Sequence, residues 1–202
     1  MANRRLTGVL LVGGASRRFG SPKALAKLDG ETLAERAWRV LGDACDEQIA
    51  VGKAGELALP FEVVDDGAEV RAPIAGVVAG LRAAAHDVAV FLPVDVPFVS
   101  AAVLRELGEA CAQAAITPTG PLPGAFAKSA LPVLERRLAT CELALKDALD
   151  ELETEIVGTD PAALRNVNRP EELYASTSTR SRSAPVPMIP TSSPSRPSTN
   201  ST

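Results

Sequence analysis

Apolar positions in the first half of the chain fall in short runs that do not alternate with polar ones. Val9-Leu10-Leu11-Val12, Ile49-Ala50-Val51 and Val88-Ala89-Val90-Phe91-Leu92 are unbroken, and Phe61-Glu62-Val63-Val64 is nearly so. A strand with one wet face reads apolar, polar, apolar. An unbroken run signals burial on both faces, as in a parallel sheet covered by helices. The pattern predicts strands over residues 5–12, 48–51, 61–64 and 88–92. Between them the period becomes helical. Asp29-Gly30 is a turn signal, and Thr32 followed by Glu35 makes a capping box. Ala34, Ala37, Trp38 and Leu41 then share one face, with Trp38 read as a core residue. A second helix is expected from Pro73 or Ile74 to about Ala85, proline suiting the first turn. A third is expected from a Ser100 cap to about Ala114.

Farther on, residues 115–120 and 124–127 suggest strands, 130–138 and 143–152 helices, and 155–157 a short strand. Residues 164–168 read as extended, with a last helix opening at Pro170. Strand–helix alternation through residue 114 implies an α/β fold: a three-layer α/β/α sandwich on a mostly parallel central sheet, Rossmann-like. The boundary is sharp. Of the 27 residues 176–202, 19 are Ser, Thr or Pro, too little apolar surface to drive ordering. The expected organisation is one domain over 1–175 and a disordered tail over 176–202.

Composition narrows the chemistry. The single histidine, His86, excludes a histidine-based triad and any multi-histidine metal site; it reads as a residue near a helix end. Cys45, Cys111 and Cys141 are too far apart for a metal cluster and read as buried thiols of a reducing compartment. Net charge is −4, with no basic footprint for nucleic acid. No apolar run approaches the ~20 residues of a membrane span, and the N-terminus lacks the apolar segment of a secretory signal. A cytoplasmic location is expected, with neither nucleic acid nor membrane as partner.

The chemistry concentrates in Leu10 to Lys23, LLVGGASRRFGSPK. A buried strand ends in paired glycines, which let backbone approach a ligand, and successive N–H groups there can form an anion nest. Arg17, Arg18 and Lys23 surround it. Neither G-x-x-x-x-G-K-[ST] nor G-x-G-x-x-G is present, yet the combination is that of a polyphosphate site. A second feature is Leu92-Pro93-Val94-Asp95-Val96-Pro97. A carboxylate among apolar residues is costly unless it binds something. Asp95 stands at a strand's carboxyl end, where ligands of open α/β sheets gather, and Mg²⁺ favours one or two carboxylates plus phosphate oxygens. Asp95 therefore reads as a metal anchor. Two further patches are Asp65-Asp66 with Pro73-Ile74-Ala75-Gly76, and Asn166-Val167-Asn168 before Pro170-Glu171-Glu172-Leu173.

Together these patches resemble the molybdenum cofactor guanylyltransferase family, nucleotidyltransferases of glycosyltransferase-A-like fold. The loop matches G-G-x-S-x-R-x-G-x-x-K, Asp95 stands in the family's D-x-P setting, and the ending matches N-V-N-x-P-E-E-L. The resemblance runs from about Leu6 to Tyr174. It implies GTP and Mg²⁺ as nucleotide and cofactor, with GMP passing to a molybdopterin-type acceptor and pyrophosphate leaving. By the same resemblance Leu11, Val12, Gly13, Gly14, Lys23, Asp66 and Asp95 bind nucleotide. Lys23, Asp95 and Arg18 are catalytic, Asn166 and Asn168 face the acceptor, and Gly76 lets a helix start approach the ligand. Arg17 and Arg18 are not ranked. Two departures stand out: Gly52 where relatives have asparagine near the base, and Leu122-Pro123 where they often carry His-Pro.

The expected step is attack by a phosphate monoester, already largely deprotonated with a second pKa of about 6, on the α-phosphorus. No general base is needed, and positioning with charge neutralisation suffices. By the resemblance, the Gly13-Gly14 pair leans toward GTP. The alternatives are a cytidylyltransferase on the same cofactor, a sugar-1-phosphate nucleotidyltransferase, and a non-catalytic nucleotide-binding module.

Overall fold

The computed structural model describes residues 4–13, 22–53, 57–69 and 71–167. Nine strands are found among them: β1 (Leu6–Leu11), β2 (Lys27–Leu28), β3 (Glu31–Thr32), β4 (Glu47–Gly52), β5 (Val63–Asp65), β6 (Val88–Pro93), β7 (Ala114–Thr117), β8 (Gly120–Ala127) and β9 (Thr154–Ile156). Seven build one sheet in the order β5-β4-β1-β6-β8-β7-β9, and β2-β3 is a separate hairpin. β5, β4, β1 and β6 run parallel, β8 runs antiparallel to β6 and β7, and β9 is parallel to β7. The expected mostly parallel three-layer sheet is what forms.

Helices α1 (Leu33–Ala44) and α3 (Ala101–Ala110) cover one face, α2 (Pro73–Ala83), α4 (Leu131–Ala139) and α5 (Leu145–Ala148) the other. The unbroken apolar runs are explained directly. Leu10, Val90 and Leu92 pack with Leu41, Leu104 and Leu107, while their neighbours Val9, Leu11 and Phe91 pack with Ile74, Leu81 and Leu134. Successive side chains of a strand point to opposite faces, and both faces are dry. β1, all six residues buried, is the centre.

Local signals set the element ends. Thr32 and Glu35 cap α1 reciprocally: Glu35 N–H donates to Thr32 Oγ1 at 3.1 Å, and Thr32 N–H to Glu35 Oε2 at 3.0 Å. Asp29 and Gly30 both take positive φ, 54° and 87°, the turn that a two-residue hairpin requires. Pro73 opens α2 and the Ser100 hydroxyl caps α3.

Several expectations shift. The third helix stops at Ala110, because the Ala114 N–H donates to the Glu153 carbonyl at 3.0 Å and is drawn into β7. The third strand begins at Val63, two residues late, since Phe61 instead stacks on Trp38 with ring centroids 4.2 Å apart. Trp38 is thus half-buried at the rim of the core. Leu164 closes a turn by donating to the Pro161 carbonyl at 3.2 Å rather than extending. Cys141 is exposed, at a positive φ of 59°, so only Cys45 and Cys111 are sheltered thiols; burial pushes them up to about 12 and about 11 respectively. His86 lies just past α2, half-buried, its N–H donating to Thr7 Oγ1 at 3.3 Å. No helix among the described residues is long and apolar enough to cross a membrane. The helix expected from Pro170 and the tail 176–202 lie outside the described residues.

Candidate active site

The chain runs from β1 to β4 and β5 on one side, then returns through α2 to β6 on the other side of β1. That reversal between β1 and β6 is a topological switch point, and a crevice opens there beyond the carboxyl ends of the strands. A cleft of about 620 Å³ occupies this edge, within the range of small-ligand sites. Leu11 and Gly13 reach it from β1, Gly52 and Lys53 from β4, Asp66 from β5 and Asp95 from β6.

Asp95 sits in the turn after β6, its side chain about a third exposed (32%). Lys23 opens a short 3-10 turn after Pro22, and its Nζ donates to Asp95 Oδ2 at 3.4 Å. Residues 72 positions apart in sequence thus form an ion pair at the switch point. The Asp95 carbonyl accepts the Val167 N–H at 2.8 Å. Val167 is fully buried with Leu28 and Leu33, and the Arg165 guanidinium lies 4.8 Å over the Phe98 ring. These contacts fix the chain on both sides of Asn166, which lines the cleft.

The far end is built on Asp66. Its N–H donates to the Gly52 carbonyl at 3.0 Å, continuing the β4–β5 pairing. Its Oδ1 accepts from Lys53 Nζ at 2.5 Å and from the Ala68 N–H at 3.1 Å. Lys53 also donates to the Ala68 carbonyl, and its ammonium is held above the usual lysine range by the Asp66 hydrogen bond, against an opposing desolvation. It is therefore charged at neutral pH. Asp65 is half exposed and closes its own turn, accepting from the Gly67 N–H at 2.7 Å.

Of the residues singled out in the sequence, Leu11, Gly13, Asp66, Asp95 and Asn166 line this one cleft and Lys23 is bonded to one of them. Val12 does not line it: its side chain is buried with the α1 side of the core. Gly76 lines it, but a Cβ there would meet Leu11 Cδ2 at 2.9 Å, so the glycine is needed to seat α2 on β1. A Cβ at Gly52 would meet Val12 Cγ2 at 2.8 Å and the Gly13 nitrogen at 3.2 Å, so an asparagine there requires Val12 and Gly13 to shift. Gly14, Arg17, Arg18 and Asn168 lie outside the described residues. Lys53, Arg71, Thr119 and Lys146, outside the motifs of the sequence, also line the cleft. Lys53 carried a usable signal, a charged residue immediately beyond a buried strand. Lys146 carried none, since only the packing of α5 brings it there.

The donor set suits a magnesium ion shared with phosphate. Among the described residues no group of three or more His, Cys, Asp or Glu could hold a metal. A lone carboxylate beside a cation fits an ion that takes most of its ligands from substrate and water.

Comparison with known proteins fixes the family. Residues 8–155 match the model of the MobA-like NTP transferase domain. The chain belongs to that family. Among its MobA-like relatives is the molybdenum cofactor guanylyltransferase of Desulfosudis oleivorans, 30% identical over 186 residues, covering 83% of this chain and 92% of the relative. The molybdenum cofactor guanylyltransferase of Pseudomonas putida is 31% identical over 179 residues, covering 82% and 94%. The crystal structure of molybdopterin-guanine dinucleotide biosynthesis protein A from Archaeoglobus fulgidus superimposes with a TM-score of 0.73 at 25% identity, covering 88% of this chain and all of that one. The chain is thus a MobA-like nucleotidyltransferase, with the glycine-ended β1 and the Asp95 turn inside the matched span.

Proposed function

We propose that this MobA-like protein transfers GMP from GTP to a molybdopterin-type acceptor carrying a terminal phosphate, with release of pyrophosphate, in the cytoplasm. The observation that carries this reading is the Lys23–Asp95 pair at the switch point, in one cleft with Gly13, Asp66 and Asn166. A bound Mg²⁺ would be held by Asp95 and would supply charge neutralisation at the α-phosphate. Lys23 would offset charge on the phosphates, and the backbone at Gly13 lines the same cleft. Asn166 faces the acceptor. The acceptor phosphate needs no base, being mostly dianionic at neutral pH, which suits a cleft whose described lining contains neither histidine nor cysteine. Catalysis rests on alignment and preorganised charge.

The experiment is pyrophosphate release from each of GTP, CTP, ATP and UTP, with and without molybdopterin. Release with GTP alone, requiring both Mg²⁺ and acceptor, is the expected result. Turnover with CTP alone makes the protein a cytidylyltransferase. Binding of nucleotide with no release under any condition makes it a binding module.

A further inference from the structure

One wall of the cleft is built from a segment too short to hold itself. Leu143, Ala144, Leu145 and Lys146 line the cleft in succession. They stand where α5 packs on β8, on the far side of β6 from Asp66. α5 is one turn of four residues, far below the length at which a helix is stable alone. Its charge is unfavourable too. Residues 142–155 carry six acids, Glu142, Asp147, Asp150, Glu151, Glu153 and Glu155, against one cation, Lys146. Burial of Leu145 and Ala148 beside Leu134 anchors the turn but does not relieve that repulsion.

The compensating charge comes from α4. Arg137, in its last turn, is only 8% exposed. Its Nη1 donates to Glu151 Oε1 at 2.8 Å and lies 3.2 Å from Glu142 Oε2, while Nη2 lies 3.8 Å from Asp147 Oδ2. Its carbonyl accepts the Glu142 N–H at 2.8 Å. The exposed Arg136 also pairs with Glu151. One guanidinium thus holds acids placed before, within and after α5, which suits a planar fork of donors better than a point-like ammonium. These acids are drawn to α4. Lys146 directly precedes Asp147, about 100° away around the turn, and it lines the cleft without an ion-pair partner among the described residues.

We propose that Arg137 is a positioning residue for the reaction: by gathering Glu142, Asp147 and Glu151 on the α4 side, it holds Lys146 at the cleft wall, where Lys146 binds the anionic acceptor. An ammonium there suits a phosphate-bearing substrate as a point charge. The inference rests on the transferase reading above. That reading gives the triphosphate to Lys23 and a metal at Asp95, and it leaves the wall beyond β6 to the second substrate. Arg137 itself touches no substrate and acts only through the segment it braces.

The test is a double-variant cycle on the full chain: wild type, Arg137→Met, Lys146→Met and the two combined. Pyrophosphate release gives kcat and the KM of GTP and of molybdopterin, and chemical denaturation gives the midpoint. Lys146→Met should raise the acceptor KM about tenfold, with the GTP KM and kcat within about twofold and the midpoint unmoved. Arg137→Met should raise the acceptor KM by a similar factor and also lower the midpoint. The combined variant should show no further rise in the acceptor KM, because both changes remove one interaction. An unchanged acceptor KM in Lys146→Met overturns the proposal, whatever Arg137→Met does to folding. Two effects that multiply in the combined variant, or a GTP KM that rises in step with the acceptor KM, overturn it as well. Failure of the transferase reading is distinguishable, since wild type would then release no pyrophosphate with any triphosphate and acceptor.

Discussion

At the scale of single residues, Asp95 matters because of its place rather than its type. It is a carboxylate at the carboxyl end of β6, a third exposed and paired with Lys23 at 3.4 Å, and the proposed reaction makes it the magnesium anchor. Asp95→Ala should lower turnover by about 10³-fold or more while leaving the melting temperature within a few degrees, because the Val167 contact is to backbone. Steady-state pyrophosphate release and calorimetry check both halves. Lys23→Ala should slow transfer by about 10²-fold and weaken triphosphate binding; unchanged kinetics would remove Lys23 from the site. The cysteines offer a test of the packing. Burial pushes Cys45 up to about 12 and Cys111 up to about 11, so at about pH 8 both stay protonated and inert. Iodoacetamide should label the native protein at Cys141 alone and the denatured protein at all three cysteines, as mass spectrometry would show.

At the scale of elements, much was legible. Capping boxes, a proline at a first helical turn and an Asp-Gly turn are solved within a few residues, so Thr32, Pro73 and Gly30 could be read directly. Thr32→Ala removes the hydroxyl that accepts from the Glu35 N–H, leaving the Thr32 N–H bond to Glu35, and should cost about 1 kcal/mol in chemical denaturation. Element ends were less legible where a distant strand competes. Nothing near Cys111 says that Ala114 will donate to Glu153, and nothing near Phe61 says that it will stack on Trp38. The close approach of α3 to β1 was equally hidden. A Cβ at Gly108 would stand 2.3 Å from Leu6 Cδ1, so Gly108→Ala should destabilise by about 1–3 kcal/mol, measured as a shift in denaturation midpoint.

For the whole molecule, charge sets the response to acid. Glu151 is held below the usual carboxylate range by the hydrogen bonds of Arg136 and then Arg137, and Asp46 by the Leu6 N–H. A depressed folded value means that the contribution is fully present above the unfolded value, about 4, and is lost as pH falls through the folded one. The melting temperature should be flat from about pH 7 to 5 and fall below about pH 4, with Glu151→Gln flattening part of that fall. A chain ending at Ala175 should keep the turnover of the full chain, since the cleft is lined by described residues no later than Asn166.

The amino-acid order alone determined the buried parallel strands, the helix starts, and which acids and glycines stand at strand ends, because each follows from backbone geometry and solvation within a few residues. It also marked four separated patches as candidates for chemistry. The convergence of their described residues was decided only by the tertiary structure. The return of the chain across β1 sets Asp95 beside Lys23, and the burial of Val167 draws Asn166 to the same edge. Lys53 comes to the cleft in the same way. Its partners lie across a strand boundary, and the packing of Gly52 against Val12 and Gly13 leaves Lys53 as the first side chain at that end of the cleft. Such contacts depend on which strands become neighbours, a choice made by burying both faces of the sheet at once, and no short stretch of sequence carries it.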